Sequence, residues 1–129
     1  MPYNDLTRKE KGIIEDKDTE APFSGEYDNF YKDGKFICRR CYAPLFSSKA
    51  KFDAKCGWPA FDEDFQNAVK RLPDSDGQRI EIQCRNCGAH LGHVFQGEHL
   101  TNKNTRHCVN SLSIRFVPKG KELPEIKHY

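Results

Sequence analysis

The sequence contains no apolar run approaching the roughly 20 residues that a membrane-spanning helix needs. Its opening stretch, MPYNDLTRKEKGIIEDKDTE, lacks the apolar segment of a signal peptide. These two absences argue against a membrane protein and an exported one. They favour a cytoplasmic chain in a reducing compartment, where disulfide staples are disfavoured. There is no GxGxxG and no CxxCH, so no nicotinamide, flavin or haem site is expected. Repeats and low-complexity tracts are missing too. So is an excess of one charge: 21 basic against 19 acidic residues leave +2, too little to suggest nucleic acid as a partner.

What is present is polar for a folded chain, with 36 % hydrophobic and 31 % charged residues. At 129 residues the chain suits one domain, which buries ~65–70 % of its extended surface. With few aliphatics the core is expected to be thin. Six cysteines and nine phenylalanines read as compensation, through staples and aromatic bulk. The expected organisation is a single domain over 1–129 with a catalytic core at about 19–118. Residues 1–18 form a charged helix or arm carrying Leu6, Ile13 and Ile14 on one face, and 119–129 an irregular tail.

Turn signals at Ser24-Gly25, Asp33-Gly34 and Asp76-Gly77 are flanked by strand-like stretches, including Phe36-Ile37 and the alternating Ile80/Ile82. The run CVNSLSIRFV reads as a third strand with Leu112, Ile114 and Phe116 on one face. If unbroken, it projects Cys108 and Asn110 from that face as well. A helix is expected over about 62–71. The class is mainly β: a compact antiparallel domain with a short N-terminal helix.

Cys38-Arg-Arg-Cys41 and Cys84-Arg-Asn-Cys87 are two knuckles with 42 residues between them. Each offers two thiolates from a tight turn, and two knuckles complete the tetrahedral four-sulfur set that suits one structural Zn²⁺ per chain. Four bound thiolates and the ion would also cancel the formal charge. Two redox CxxC pairs or a disulfide framework compete with this reading. Arg39, Arg40 and Arg85 either offset the thiolates or form a basic patch, although no aromatics interleave them.

Cys56 and Cys108 remain. A free cysteine is most often a small buried hydrophobe. Against that, Cys108 follows Arg106 and His107, whose charge would lower a thiol pKa. Cys56 lies in the CGWPAF turn with the only tryptophan and is expected to be exposed and mobile. A thiolate plus a second thiol on a loop suits stepwise oxidation, with a sulfenic acid resolved by the second sulfur. His90 and His93 in CGAHLGHVF are either surface histidines, spare zinc ligands, or proton donors near a thiol.

Taken in order, TEAPFSGEY, APLFSSKAKFDAKCGWPAF, CRNCGAHLGHVF and RHCVNSLSIRF resemble the methionine-R-sulfoxide reductases over nearly the whole chain. The resemblance implies two antiparallel sheets and a zinc site at Cys38, Cys41, Cys84 and Cys87. It implies Cys108 as the nucleophile on the sulfoxide and Cys56 as the resolving cysteine, a position that many members fill otherwise. Trp58 would pack on the S-methyl group, with Phe95 and Arg106 also contacting substrate. His90, His93 and Asn110 would orient and protonate the oxygen. A Cys56–Cys108 disulfide, recycling by a thioredoxin-like dithiol, repair of oxidised methionine in proteins and a monomeric state follow from the same likeness. The chain departs from the common pattern after HVF: Gln96 and Gly97 stand at acidic positions, Glu98 lies close by, and His107 replaces a tyrosine. Ala60 replaces a frequent serine. Two rivals come from other classes. A zinc-ribbon-like binding module would gather basic and aromatic residues on one face, and a peroxide-sensing thiol switch would need no slot for a methyl group.

Overall fold

A capping box starts the fold: Thr7 Oγ1 accepts from the Glu10 backbone at 3.2 Å, and Glu10 Oε1 accepts from the Thr7 backbone at 2.8 Å. The computed structural model describes residues 2–128; residues 1 and 129, part of the expected domain, lie outside the described residues. The box opens α1 (Arg8–Ile14), which buries Ile13 and Ile14 against the rest of the chain. Nine strands follow: β1 (Gly34–Cys38), β2 (Pro44–Ser47), β3 (Lys51–Phe52), β4 (Ala60–Phe61), β5 (Val69–Pro73), β6 (Ile80–Cys84), β7 (His90–Gln96), β8 (Thr105–Val109) and β9 (Ile114–Pro118). They form two antiparallel sheets, β2-β1-β9 and β3-β4-β8-β7-β6-β5. Two sheets and one short N-terminal helix match the sequence reading.

The phenylalanines carry the core, as the scarcity of aliphatics suggests. Phe36 of the smaller sheet meets Phe61 of the larger edge-on at 5.2 Å, and Phe46 stacks on Phe61 at 4.3 Å. Phe116, Phe30 and Tyr27 extend the cluster around Phe36. Phe61 is fully buried and follows Ala60, the strand partner of Cys108, so the aromatic core fixes the floor under that cysteine. Truncating Phe61 to alanine is expected to cost about 3–5 kcal/mol, because the contacts of both sheets are lost into a cavity that rings cannot refill. Urea denaturation monitored by far-UV circular dichroism measures it; a loss below 1 kcal/mol (roughly an ordinary surface change) would contradict this account of the core.

Two sequence expectations fail. Residues 62–71 are not helical: the segment is irregular and enters β5 at Val69. Asn67 adopts a left-handed φ of 58°, the Asp64 carboxylate accepts from the Val69 backbone, and Val69 then pairs with Cys84 across the sheet. Side-chain capture of the backbone and long-range strand pairing outweigh helix propensity there.

Nor is CVNSLSIRFV one strand. It breaks into β8, a single 3₁₀ turn at Ser111–Ser113, and β9. The Glu20 carboxylate accepts from the Ser111 backbone at 2.7 Å and from Leu112 at 3.3 Å, holding the turn where the chain passes from one sheet to the other. Cys108 therefore does not share a face with Leu112, Ile114 and Phe116. No helix among the described residues is long and apolar enough to cross a membrane.

Candidate active site

Alternation along β8 sends Arg106 and Cys108 to one face and His107 to the other. In the central pairing of the large sheet, Cys108 lies opposite His93, and Arg106 opposite Phe95. On its other side Cys108 faces Ala60 of β4. The loop before β4 carries Cys56 over this face, where its Sγ stands 3.9 Å from Cys108 Sγ. Gly57, at φ 92°, lets the loop turn in so closely. Trp58 completes the wall, its indole N–H donating to the Glu20 carbonyl at 2.9 Å. The result is a cleft of about 210 Å³ whose lining includes Cys56, Trp58, His93, Phe95, Arg106, Cys108 and Asn110. Cys56 is half-buried rather than exposed, because it faces its partner sulfur.

The two thiols share their protons. Hydrogen bonding to Cys108 brings Cys56 down to about 6 against the effect of burial, and Arg106 adds to the shift. The same contact, with burial, holds Cys108 well above its ordinary range. At neutral pH the pair therefore carries one thiolate and one proton. The expected help from His107 is absent. Its ring is 2 % exposed on the opposite face, Nδ1 donates to the Phe61 carbonyl at 3.0 Å, and burial pushes its pKa down, leaving it neutral. Arg106 supplies the positive charge instead. Its guanidinium is held in a fork by Glu98 at 2.8 and 3.1 Å and lies 4.2 Å over the Phe95 ring. Glu98 thus serves from a position shifted from the altered stretch at 96–97.

His90 and His93 are three residues apart, which in a regular strand puts them on opposite faces. Here Ile82 pairs with Gly92 but Gln83 pairs with His90, so Leu91 is an extra residue on β7. The bulge brings both rings to one side, with centroids 5.8 Å apart. Gly92 sits in this bulge because a Cβ there would collide with the Cys108 carbonyl. Neither histidine is a surface residue or a zinc ligand. His93 Nε2 donates to Asp74 at 2.5 Å, and His90 Nδ1 meets Glu81 at 2.7 Å. His93 lines the cleft; His90 lies beneath it, buried. Asn110 also lines the cleft, with its amide partly committed: Oδ1 accepts from the Glu20 backbone and Nδ2 donates to the Leu91 carbonyl, both at 3.1 Å.

Sequence reasoning missed four polar residues around this site. Glu81 alternates with Ile80 and Ile82 and so reads as solvent-facing, yet it is 3 % exposed while Ile80 is 40 % exposed. Asp74 and Arg79 read as turn chemistry around Asp76-Gly77, but Asp74 reaches back to His93 and Arg79 lines the cleft. Glu20 lay within TEAPFSGEY with no local sign that it caps a turn some ninety residues on.

The four remaining cysteines converge at the far ends of β1 and β6. Their sulfurs all lie within 4.8 Å of one another, with Cys38–Cys87 and Cys41–Cys84 at 3.6 Å. The two knuckles fold alike. Tyr42 and Gly88, both at positive φ, donate their N–H to the carbonyls of Cys38 and Cys84 at 2.8 Å. Hydrogen bonding from Cys38 brings Cys41 down to about 7 and Cys87 lower still. The same contacts hold Cys38 and Cys84 up, and a cluster of four soft donors, largely buried, is able to hold a metal ion. The flanking arginines are internal clamps rather than a free basic patch. Arg39 binds Glu10, Glu26 and the Ser111 carbonyl, Arg40 donates to the Cys87 carbonyl, and Arg85 donates to the Asn67 and Val69 carbonyls.

A two-sheet β domain with a thiol pair in a cleft between tryptophan and histidine, and a separate four-cysteine cluster, defines a thiol-redox class of site. Residues 6–118 match the SelR domain, and the chain belongs to that family. It is 52 % identical over 114 residues to peptide methionine sulfoxide reductase B5 of Oryza sativa subsp. japonica, covering 88 % of this chain and 84 % of the relative. It is 50 % identical over 119 residues to peptide methionine sulfoxide reductase B3 of Arabidopsis thaliana, covering 92 % and 68 % respectively. Peptide methionine sulfoxide reductase 2 of Saccharomyces cerevisiae is 48 % identical over 125 residues, covering 90 % and 74 %.

Proposed function

We propose that this chain reduces methionine-R-sulfoxide in peptides to methionine, with Cys108 as the nucleophile and Cys56 as the resolving thiol. The observation that carries the reading is the pair of sulfurs 3.9 Å apart in a cleft walled by Trp58 and His93. A sulfoxide needs a sulfur nucleophile, a donor aimed at its oxygen and an apolar wall for its methyl group. Cys108 suits the first role because it rides on a central strand, fixed relative to His93. Trp58 supplies the wall, and His93, His90 and Asn110 serve the oxygen; Arg106 and Phe95 bound the substrate.

The pair's one proton is left on Cys56 as Cys108 attacks the sulfoxide sulfur as the thiolate. The oxygen takes a proton from the donors that face it and passes to Cys108, so that methionine and a Cys108 sulfenic acid form. Cys56 then attacks that sulfur, its proton leaving with the hydroxyl as water, and a Cys56–Cys108 disulfide results. A thioredoxin-like dithiol returns both cysteines to thiols and is itself oxidised. Zn²⁺ at Cys38, Cys41, Cys84 and Cys87 takes no part in these steps and supplies structural cross-linking alone. The whole chain acts as one domain, a monomer in the cytoplasm, repairing oxidised methionine. A zinc-ribbon-like module fits less well, since Arg39, Arg40 and Arg85 are occupied within the fold and hydrogen bonding to Cys108 brings the Cys56 thiol down to about 6.

The test is a stereospecific assay on the R and S epimers of dabsyl-methionine sulfoxide, run beside Cys56→Ser. The wild type is expected to reduce R only. The serine variant should give a single-equivalent methionine burst and then stall with thioredoxin. Reduction of S, or sustained thioredoxin-dependent turnover by the variant, contradicts the stereochemistry or the resolving role respectively.

A further inference from the structure

The most deeply buried ionisable pair near the cleft joins a residue that the reaction above uses, His90, to one that it does not, Glu81. His90 and Glu81 are each 3 % exposed at the side chain, and His90 Nδ1 lies 2.7 Å from Glu81 Oε2. The geometry points to Glu81 as a positioning residue that fixes the tautomer of His90, with Lys17 and Gln83 anchoring its carboxylate. The inference rests on the reading that His90 serves the sulfoxide oxygen.

A carboxylate only accepts, so the ring hydrogen sits on Nδ1 and the lone pair of the neutral ring on Nε2. Nε2 is itself buried and has no hydrogen-bond partner among the described residues. It is thus the one ring atom able to take up and release a proton. Glu81 is well provided for as an anion: Oε1 accepts from Lys17 Nζ at 3.0 Å, and Oε2 also accepts from Gln83 Nε2 at 3.0 Å. Burial opposes its ionisation, but the bonds from Gln83, His90 and Lys17 outweigh burial and keep it below the usual carboxylate range. Burial pushes His90 down, with Glu81 pulling the other way. The charged and titratable groups facing His90 are Glu81 from β6, His93 from β7, and Lys17 from the turn after α1.

When a proton is delivered through Nε2, the ring passes through an imidazolium. Glu81 offsets that charge in a site from which water is largely excluded, and it keeps the ring from flipping to the unproductive tautomer. Lys17 lies in the charged N-terminal segment, which thereby joins the catalytic half of the molecule by a polar contact as well as by the apolar face of α1.

Nitrogen-resolved NMR of the full chain, with His90 assigned from His90→Asn, is expected to find the neutral Nδ1–H tautomer near pH 7. In Glu81→Gln the amide can donate as well as accept, so the tautomers should mix. Since the carboxylate raises the His90 pKa, its loss should move the His90 titration to lower pH. Single-turnover reduction of the R sulfoxide should slow by roughly tenfold or more, with KM changed by less than about twofold. Lys17→Met should slow the step the same way by less, while moving the His90 titration slightly to higher pH, because the Lys17 charge lowers it. An Nε2–H tautomer in the wild type overturns the proposal, as does a folded Glu81→Gln with unchanged rate and titration. If Glu81→Gln does not fold, the wild-type tautomer and Lys17→Met decide. Failure of the wild type to reduce either epimer removes the functional reading instead, and leaves the tautomer measurement standing.

Discussion

Cys108→Ser is expected to lower reduction of the R sulfoxide, with dithiothreitol or thioredoxin as reductant, by at least about four orders of magnitude. The test is sharp because a thiolate survives in the variant. Cys56 still lies in the cleft beside Arg106, and a serine hydroxyl can still donate to it. If thiolate character alone decided reactivity, Cys56 would take over and a methionine burst would persist. The expected absence of any burst means that position governs: Cys108 is fixed on β8 opposite His93, whereas Cys56 is carried on a loop. A burst in Cys108→Ser together with its loss in Cys56→Ser would reverse the two roles. The pH dependence follows from the same pair. Above about 6 the wild type holds one thiolate; below it both sulfurs are protonated. The single-turnover rate is expected to fall by about tenfold per pH unit on that acid side.

The parts of this site legible in the sequence are those set by short-range chemistry. The two CxxC knuckles, the Asp76-Gly77 turn and the strands that lead into Cys38 and Cys84 all depend on neighbours within a few residues. So does the separation of six cysteines into four and two. What the sequence hid depends on contacts across the fold. His90 and His93 share a side only because Leu91 is an extra residue in the ladder, and period-two reasoning argues the reverse. Glu81 is buried because Lys17, Gln83 and His90 converge on it, against an alternation that marks it as exposed. The strand after Cys108 breaks because a carboxylate from residue 20 captures two backbone N–H groups. His107 beside Cys108 reads as an activating charge along the chain, but the pleat sends it into the core.

The second large effect is expected from the four-cysteine cluster. The purified chain should carry one zinc ion, and removing it with a strong chelator, or weakening the site by Cys87→Ser, should lower the melting temperature by on the order of 15 °C or more. A structural zinc site contributes ~10–16 kcal/mol in small zinc peptides, comparable to the whole ~5–15 kcal/mol stability of a domain. This chain also has an aromatic core, so partial structure can outlast the ion. The knuckles, however, close the ends of β1 and β6, one from each sheet, and the C-terminal tail is strapped across them through Lys127 to Cys41 and Asn86. Without the ion, four sulfurs crowd within 4.8 Å with Cys41 brought down to about 7, and the charge this leaves between the knuckles should push the two sheets apart. The damage should travel to the cleft by one route. β6 and β7 leave the second knuckle directly and carry Glu81, His90 and His93, so activity should be lost with the tertiary fold around those side chains while Cys56 and Cys108 remain titratable thiols. Elemental analysis, calorimetry with and without chelator, and thiol counting check the three parts together. A metal-free chain with an unchanged melting temperature, or a Cys38–Cys41 disulfide found by mass spectrometry, would instead favour two redox pairs.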